Sequence, residues 1–204
     1  EVMTDYNIFS EHSSIVGAYV ASKKTHVFPF KSYKKMDSDP LSSILNALAR
    51  IRDNNASASI QFVLRSAKAK WRRKGVHIVR EVKKGEKFEH VTNSNAFSKA
   101  LNTTMKTANE TLSTKPKEEK NEVYQLSSME EEMLKGIEEK LSKGGLDLTV
   151  RIISASDNEE LARMNLENIV NAFSQYNLYR YGNEFSALIP RNQKTIIRDF
   201  IYRS

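Results

Sequence analysis

The order of apolar and polar positions divides the chain into alternating strand-like and helix-like segments. Near the N-terminus, short apolar groups broken by polar residues predict short strands: Tyr6, Ile8 and Phe9, then Ile15 to Val20, then Val27 to Phe30 around Pro29. From Leu41 the period changes. Leu41, Ile44, Leu45, Leu48 and Ile51 recur at helical spacing behind Ser38 or Asp39 as a cap and Pro40 in the first turn, and this helix ends near 53–55. Between Ser57 and Ser66 the period falls to two, with Ile60, Phe62 and Leu64 on one face and Val63 on the other, which predicts a strand.

Beyond that strand, Ala67, Trp71, Ile78 and Val82 make a narrow apolar stripe on a helix whose remaining surface is basic. Gly75 interrupts it at a cost of about 1 kcal/mol relative to Ala. Ser94 opens a weaker helix carrying Phe97, Leu101, Met105, Ala108 and Leu112, and Thr114 to Glu122 has no apolar residue, which marks it as an exposed linker. A strong helix follows. It starts at Ser127 or Ser128: Ser128 and Glu131 have capping-box spacing, Met129, Met133, Ile137 and Leu141 repeat every four residues, and Gly144 is placed to close the helix in the left-handed conformation. Leu146 to Ala155 reads as a strand. Asp157 and Glu160 then open a helix through Leu161, Met164, Ile169, Phe173 and Tyr176. Glu184 to Ile189 makes a short strand, and Pro190 starts a last amphipathic segment with Ile196, Ile197, Phe200 and Ile201. That segment reaches Ser204 without a closing residue, from which a native chain that continues further is expected.

The order helix, strand, helix occurs twice, and Ile60, Phe62 and Leu64 align with Leu148, Val150 and Ile152 at a separation of 88 residues. The expected architecture is α+β: a mixed or antiparallel sheet with helices packed on one face, built from two related helix-strand-helix halves. The first half, 1–113, carries the basic helix. Residues 114–122 form the linker, and 123–204 form the second half of one compact unit.

Composition adds limits. The 204 residues are 39% hydrophobic and 28% charged, a globular balance, and no apolar run approaches the ~18 to 20 residues that cross a bilayer. The absence of cysteine excludes thiol catalysis and cysteine-ligated zinc and fits a reducing compartment, so a cytoplasmic location is expected. Charge is more informative than its total of +7. From Arg65 to Glu89 ten Lys and Arg stand against three Glu, whereas from Glu118 to Glu139 eight Glu stand against two Lys. The blocks either face each other within the fold or serve partners of opposite charge.

Neither the G-x-x-x-x-G-K-[ST] loop nor G-x-G-x-x-G occurs, so no nucleotide-phosphate cradle is expected. The four histidines, His12, His26, His77 and His90, are spaced 14, 51 and 13 apart, which gives no helical metal pair. No nucleophile elbow is present, and no catalytic residue, cofactor, metal or small-molecule substrate is expected. The candidate chemistry is electrostatic. Lys68, Lys70, Arg72, Arg73 and Lys74 surround Trp71, with Arg80, Lys83 and Lys84 further along, a set able to neutralise phosphates of a nucleic acid or another anionic partner. Trp71 either stacks on an unpaired base or belongs to the core. On the acidic helix, Glu130, Glu131 and Glu138 are the candidate partner-facing residues, although acids at a helix N-terminus also serve the helix itself.

The stretches VFPFKSY, SDPLSSILNALARI and ASIQFVLRSA, followed later by LDLTVRIISAS, NIVNAFSQYN and the terminal RDFIYRS, resemble the segment ahead of the motor in HerA/FtsK-like ATPases of type IV secretion and conjugative DNA transfer from small-genome, candidate-phyla bacteria. The resemblance covers about three-fifths of the chain and leaves out the Lys- and Glu-rich middle. It implies a non-catalytic accessory domain that positions or oligomerises a DNA-translocating motor. It also implies DNA and other motor or secretion-complex subunits as partners, homo-oligomers formed through a motor beyond Ser204, and a membrane-proximal placement. A stand-alone nucleic-acid-binding protein using 65–89 and a purely structural interaction module are the alternative expectations.

Overall fold

A computed structural model describes residues 8, 13–51, 55–92, 124–179 and 182–203. The described residues form two compact units. The first joins residues up to Lys68 with Gly145 to Ser204, and the second runs from Ala69 to Gly144. The chain therefore divides at 68/69 and 144/145, while the expected helix from Ser94 and the linker 114–122 lie outside the described residues.

The first unit is an α+β fold around a four-stranded antiparallel sheet of β1 (Ser14–Ser22), β2 (Ser57–Ser66), β3 (Leu146–Ser156) and β4 (Phe185–Leu188). Its strand order is β2-β3-β1-β4. The period-two segments at 57–66 and 146–155 are these two neighbours, paired from Ser57 opposite Ala155 to Ser66 opposite Leu146. Ile60, Phe62 and Leu64 stand opposite Ile152, Val150 and Leu148. The internal echo thus has a physical cause: two adjacent strands present these positions to one face of the sheet. It does not extend to equivalent flanking helices, because α1 (Ser42–Ala49) and α5 (Glu159–Ala172) belong to the first unit and α2 (Lys70–Lys83) and α4 (Ser128–Leu141) to the second.

One sheet face carries Val16, Ala18 and Val20 of β1, Val150 and Ile152 of β3, and Ile60 of β2. Helices α1 and α5 cover it through Ile44, Ala162, Leu166 and Ile169, with Phe173 in the 3-10 turn that follows α5. Asn158 caps α5 by accepting from the Glu160 N–H at 2.8 Å. The buried stripe is 162, 166, 169 and 173, so Met164 falls on the solvent side, contrary to expectation. In α1 only Ile44 is fully buried, and Leu41 and Leu45 point outward. Val27 to Phe30, expected as a strand, is instead a turn. Pro29 cannot donate to a ladder, the Phe28 N–H bonds the Thr25 carbonyl, and the Pro29 carbonyl accepts from the Asn183 N–H.

The opposite face is covered too, which corrects the expectation that all helices share one side. Helix α6 (Gln193–Tyr202) lies there, capped by Asn192 and closed by Arg203 at φ 53°. Its docking follows two rows of residues across the sheet. In the row Ser59, Ile153, Gly17, the missing side chain of Gly17 leaves room for Ile196, whose Cγ2 would lie 3.1 Å from a Cβ placed on the glycine. In the row Gln61, Arg151, Tyr19, the Tyr19 hydroxyl donates to Asp199 at 2.7 Å, Gln61 Nε2 donates to the Phe200 carbonyl at 2.9 Å, and Arg151 Nη1 donates to Gln61 Oε1 at 2.8 Å. Arg151 is buried, and its guanidinium also lies 5.8 Å from the centre of the Tyr19 ring. Burial raises the Tyr19 hydroxyl above its ordinary value. The hydrogen bond from Tyr19 holds the Asp199 carboxyl below 3.8, with Arg198 and Arg151 adding to it.

Two outcomes follow for this face. Gly17→Val should lower stability by about 1–3 kcal/mol through overpacking, and Ile196→Ala should cost less in that background than in the native one, as a denaturation double-mutant cycle measures. Because the fold favours ionised Asp199, its contribution is complete above the unfolded value near 3.8 and is lost as pH falls through the lower folded value. Asp199→Asn should therefore lower Tm at neutral pH and flatten the fall of Tm in that acid window.

Candidate nucleic-acid interface

The second unit is built on α2 and α4, with the short α3 (Phe88–Thr92). Among the described residues, Ile78 and Val82 of α2, Phe88 of α3, and Met133, Leu134 and Ile137 of α4 are its buried large apolar side chains. The two long helices run antiparallel. At one end the Arg72 guanidinium donates to the Lys143 carbonyl at 2.6 Å, and Gly75 lies against Leu141, whose Cδ2 would be 2.6 Å from an added Cβ. Gly75, read from sequence only as a weak point in a helix, is buried at this close approach. At its other end α2 is closed by Gly85, at φ 99°, whereas Gly144 is not left-handed and α4 ends without it.

The acidic candidates separate by role. Glu130 is 3% exposed and completes a capping box with Ser127, one residue earlier than the predicted Ser128–Glu131 pair. Its carboxylate accepts from the Ser127 N–H and hydroxyl, both at 2.8 Å, and from the Tyr124 hydroxyl at 2.7 Å. A buried, fully engaged carboxylate cannot face a partner, so Glu130 is a fold residue. Glu138 is paired at 2.5 Å with Lys83. Glu131 is exposed.

The basic candidates separate in the same way. Lys68 closes the first unit and lies outside α2. Lys83 meets Glu138, while Lys84 and Arg80 both reach Glu81, at 3.0 and 3.2 Å. The Lys84 hydrogen bond, joined by that of Arg80, holds the Glu81 carboxyl below its ordinary value. Arg72 is tied to Lys143 and covers one side of Trp71 at 5.6 Å, so part of the half-buried indole is already occupied. Lys74 is partly buried. Lys70 and Arg73 are exposed and make no ion pair among the described residues.

These side chains share a surface. Arg72, Arg73, Val76, His77 and Arg80 line a shallow, open depression along α2. At 1.5 Å per residue the run from Arg72 to Arg80 spans about 12 Å. Val76 and His77 were not among the residues singled out for binding, yet the spacing 72, 73, 76, 77, 80 is a helix stripe visible in the sequence. Among the described residues no group of His, Asp and Glu is arranged to hold a metal ion, and no helix is long and apolar enough to cross a membrane.

A family model described as "Domain of unknown function (DUF8128)" matches residues 2–203, nearly the whole length. The chain belongs to this family. No curated protein and no solved structure matches it. The DUF8128 match spans both units.

The capping geometry gives a direct check. Ser127→Ala should cost about 0.5–2 kcal/mol through loss of the cap. Glu130→Ala, which strips three hydrogen bonds from one buried site, should cost more. Glu131→Ala should be close to neutral, as thermal denaturation followed by circular dichroism would show.

Proposed function

We propose that this chain is an accessory binding domain of a DNA-translocating assembly of the type IV secretion class, and that it contacts the phosphate backbone of nucleic acid through α2. The observation that carries the binding half is the row of exposed Arg72, Arg73 and Arg80 beside half-buried His77, in which Arg73, like the neighbouring Lys70, makes no ion pair among the described residues. Three guanidiniums on one helix face suit phosphate oxygens, which they can bind in bidentate fashion. Trp71, with Arg72 across its ring, is poorly placed to read bases, so the proposed contact is independent of sequence. The motor-associated half rests on the resemblance of the VFPFKSY, SDPLSSIL and NAFSQYN segments.

A second reading has its own observation. The Lys83–Glu138 pair uses basic and acidic blocks against each other, as a purely structural helix pair would. An exposed pair of this kind is worth only about 0–1 kcal/mol, so it does not account for the full basic excess.

Fluorescence anisotropy with single- and double-stranded DNA across a salt series tests the proposal. Lys70→Glu/Arg73→Glu is the better variant, because Arg72 also holds the helix pair together. Salt-sensitive binding should weaken in the variant, with the slope of log affinity against log salt falling by about 2, while Tm is retained. No binding of either form at low salt would sink the nucleic-acid reading and favour the structural one. For the motor, the coding sequence past Ser204 decides: a Walker lysine supports it and a stop codon overturns it.

A further inference from the structure

The two edges of the sheet are treated differently. On one side β4 has only four residues, Pro190 follows closely, and the Gly17 N–H of β1 beyond it is taken by the Gln193 side chain at 2.7 Å. Short strands, proline and side-chain covers are the usual means of blocking edge-to-edge pairing. On the other side β2 runs for ten residues, contains no proline and one charge, Arg65, and pairs only with β3 among the described residues. Its distal half carries exposed apolar side chains. Phe62 is 48% and Leu64 58% exposed, and Leu148, opposite Leu64, is 50% exposed.

We infer that β2 is a pairing edge for a second copy of this chain, joined antiparallel about a two-fold axis near Gln61. The residue order of β2 favours that occupant. Its first half is small, Ser57, Ala58 and Ser59, and its second half is bulky, Phe62, Val63 and Leu64. With Gln61 at the axis, Ala58 faces Leu64 of the second copy and Ser59 faces Val63, a small side chain against a large one on each face, while Ile60 faces Phe62 in an aromatic–β-branched pair. An even register also keeps each copy's core face continuous with that of the other, whereas a one-residue slip would exchange faces. Charge agrees. Arg65 stands opposite Ser57, and the two Arg65 residues lie eight positions apart, about 27 Å at ~3.4 Å per residue, well beyond the screening length of about 8–10 Å. A parallel register would instead set Arg65 on Arg65 and Leu64 on Leu64. The two-fold relation closes the assembly at two chains, because each sheet has one such edge.

The chain has no cysteine, so an introduced pair reports the register without background. Residues 59 and 63 are about 13 Å apart along one strand, too far for a disulfide. In the two-fold register each faces the other across the interface at about 4.5–5.5 Å between Cα atoms. Light scattering of the full chain across a dilution series should give a dimer. Ser59→Cys/Val63→Cys should oxidise to a covalent dimer, and Val63→Cys alone should not. Leu64→Lys, at an exposed position that leaves the fold intact by circular dichroism, should shift the equilibrium to monomer by at least tenfold. A monomer at every concentration overturns the inference, as does a dimer in which the cysteine pair fails to link.

Discussion

The ten-rung ladder between β2 and β3 is the constraint on which the rest depends. Its register puts Ile60 and Phe62 beside Ile152 and Val150 on the face that α1 and α5 cover, and Ser59 and Gln61 beside Ile153 and Arg151 on the face that α6 covers. A shift by one residue would carry Arg151 into the hydrocarbon core and Ile152 into the polar row. The same ladder sets the boundary of the second unit. The chain leaves after Ser66 and returns at Leu146, the two strand ends tied by the Ala67 N–H to the Gly145 carbonyl, so the intervening helices are inserted in the connection of a hairpin.

Arg151 shows how a polar group is accommodated in such a sheet. Burying a guanidinium is costly unless its hydrogen bonds and charge are answered. Here Gln61 answers from the neighbouring strand, and Tyr19 and Asp199 supply an aromatic face and a nearby carboxylate. The apolar contribution comes from the adjacent row, where Ile196 fills the space above Gly17. Helix α6 is therefore held by one steric fit and one polar row, and each specifies the same placement.

Strand and helix periods were legible because they are local, and the segments 57–66 and 146–155, the short strand at 185–188 and the helices near 42–49, 128–141 and 159–172 all follow from spacing. The caps were legible only to within a residue or two: Leu41 precedes α1 with no side-chain cap, and Ser127 and Asn158 cap α4 and α5. What escaped was set by distant partners. Pro40 illustrates it: its carbonyl accepts from the Tyr176 hydroxyl at 2.6 Å and Gln175 Nε2 at 2.9 Å, while the Lys31 N–H bonds the Tyr176 carbonyl. Burial, with the nearby charge of Asp39, raises the Tyr176 hydroxyl above its ordinary value. The VFPFKSY, SDPL and FSQYN segments thus converge in one place, and nothing in their local spacing announces it. They are fold determinants, so the resemblance they carry bears first on architecture. At the candidate interface, the basic content was legible. Its sorting was not, because whether a lysine is spent inside the fold depends on where Glu81 and Glu138 stand.

That sorting decides what the charge can do. Within the basic block, Glu81 engages Arg80 and Lys84, and Glu138 engages Lys83. Two carboxylates cannot neutralise the three cations, and Lys70, Arg72 and Arg73 have no carboxylate partner among the described residues, Arg72 meeting a carbonyl instead. The surplus cations sit toward the start of α2, where the helix dipole already contributes partial positive charge. Clustering cations at that end opposes helix stability by a few tenths of a kcal/mol per charge, and the fold tolerates it because Ile78 and Val82 anchor the helix against α4. Cations that are locally unfavourable and, at Lys70 and Arg73, without a carboxylate partner among the described residues are what an external anion would relieve, which is why the start of α2, and not the acidic helix, carries the proposed reading.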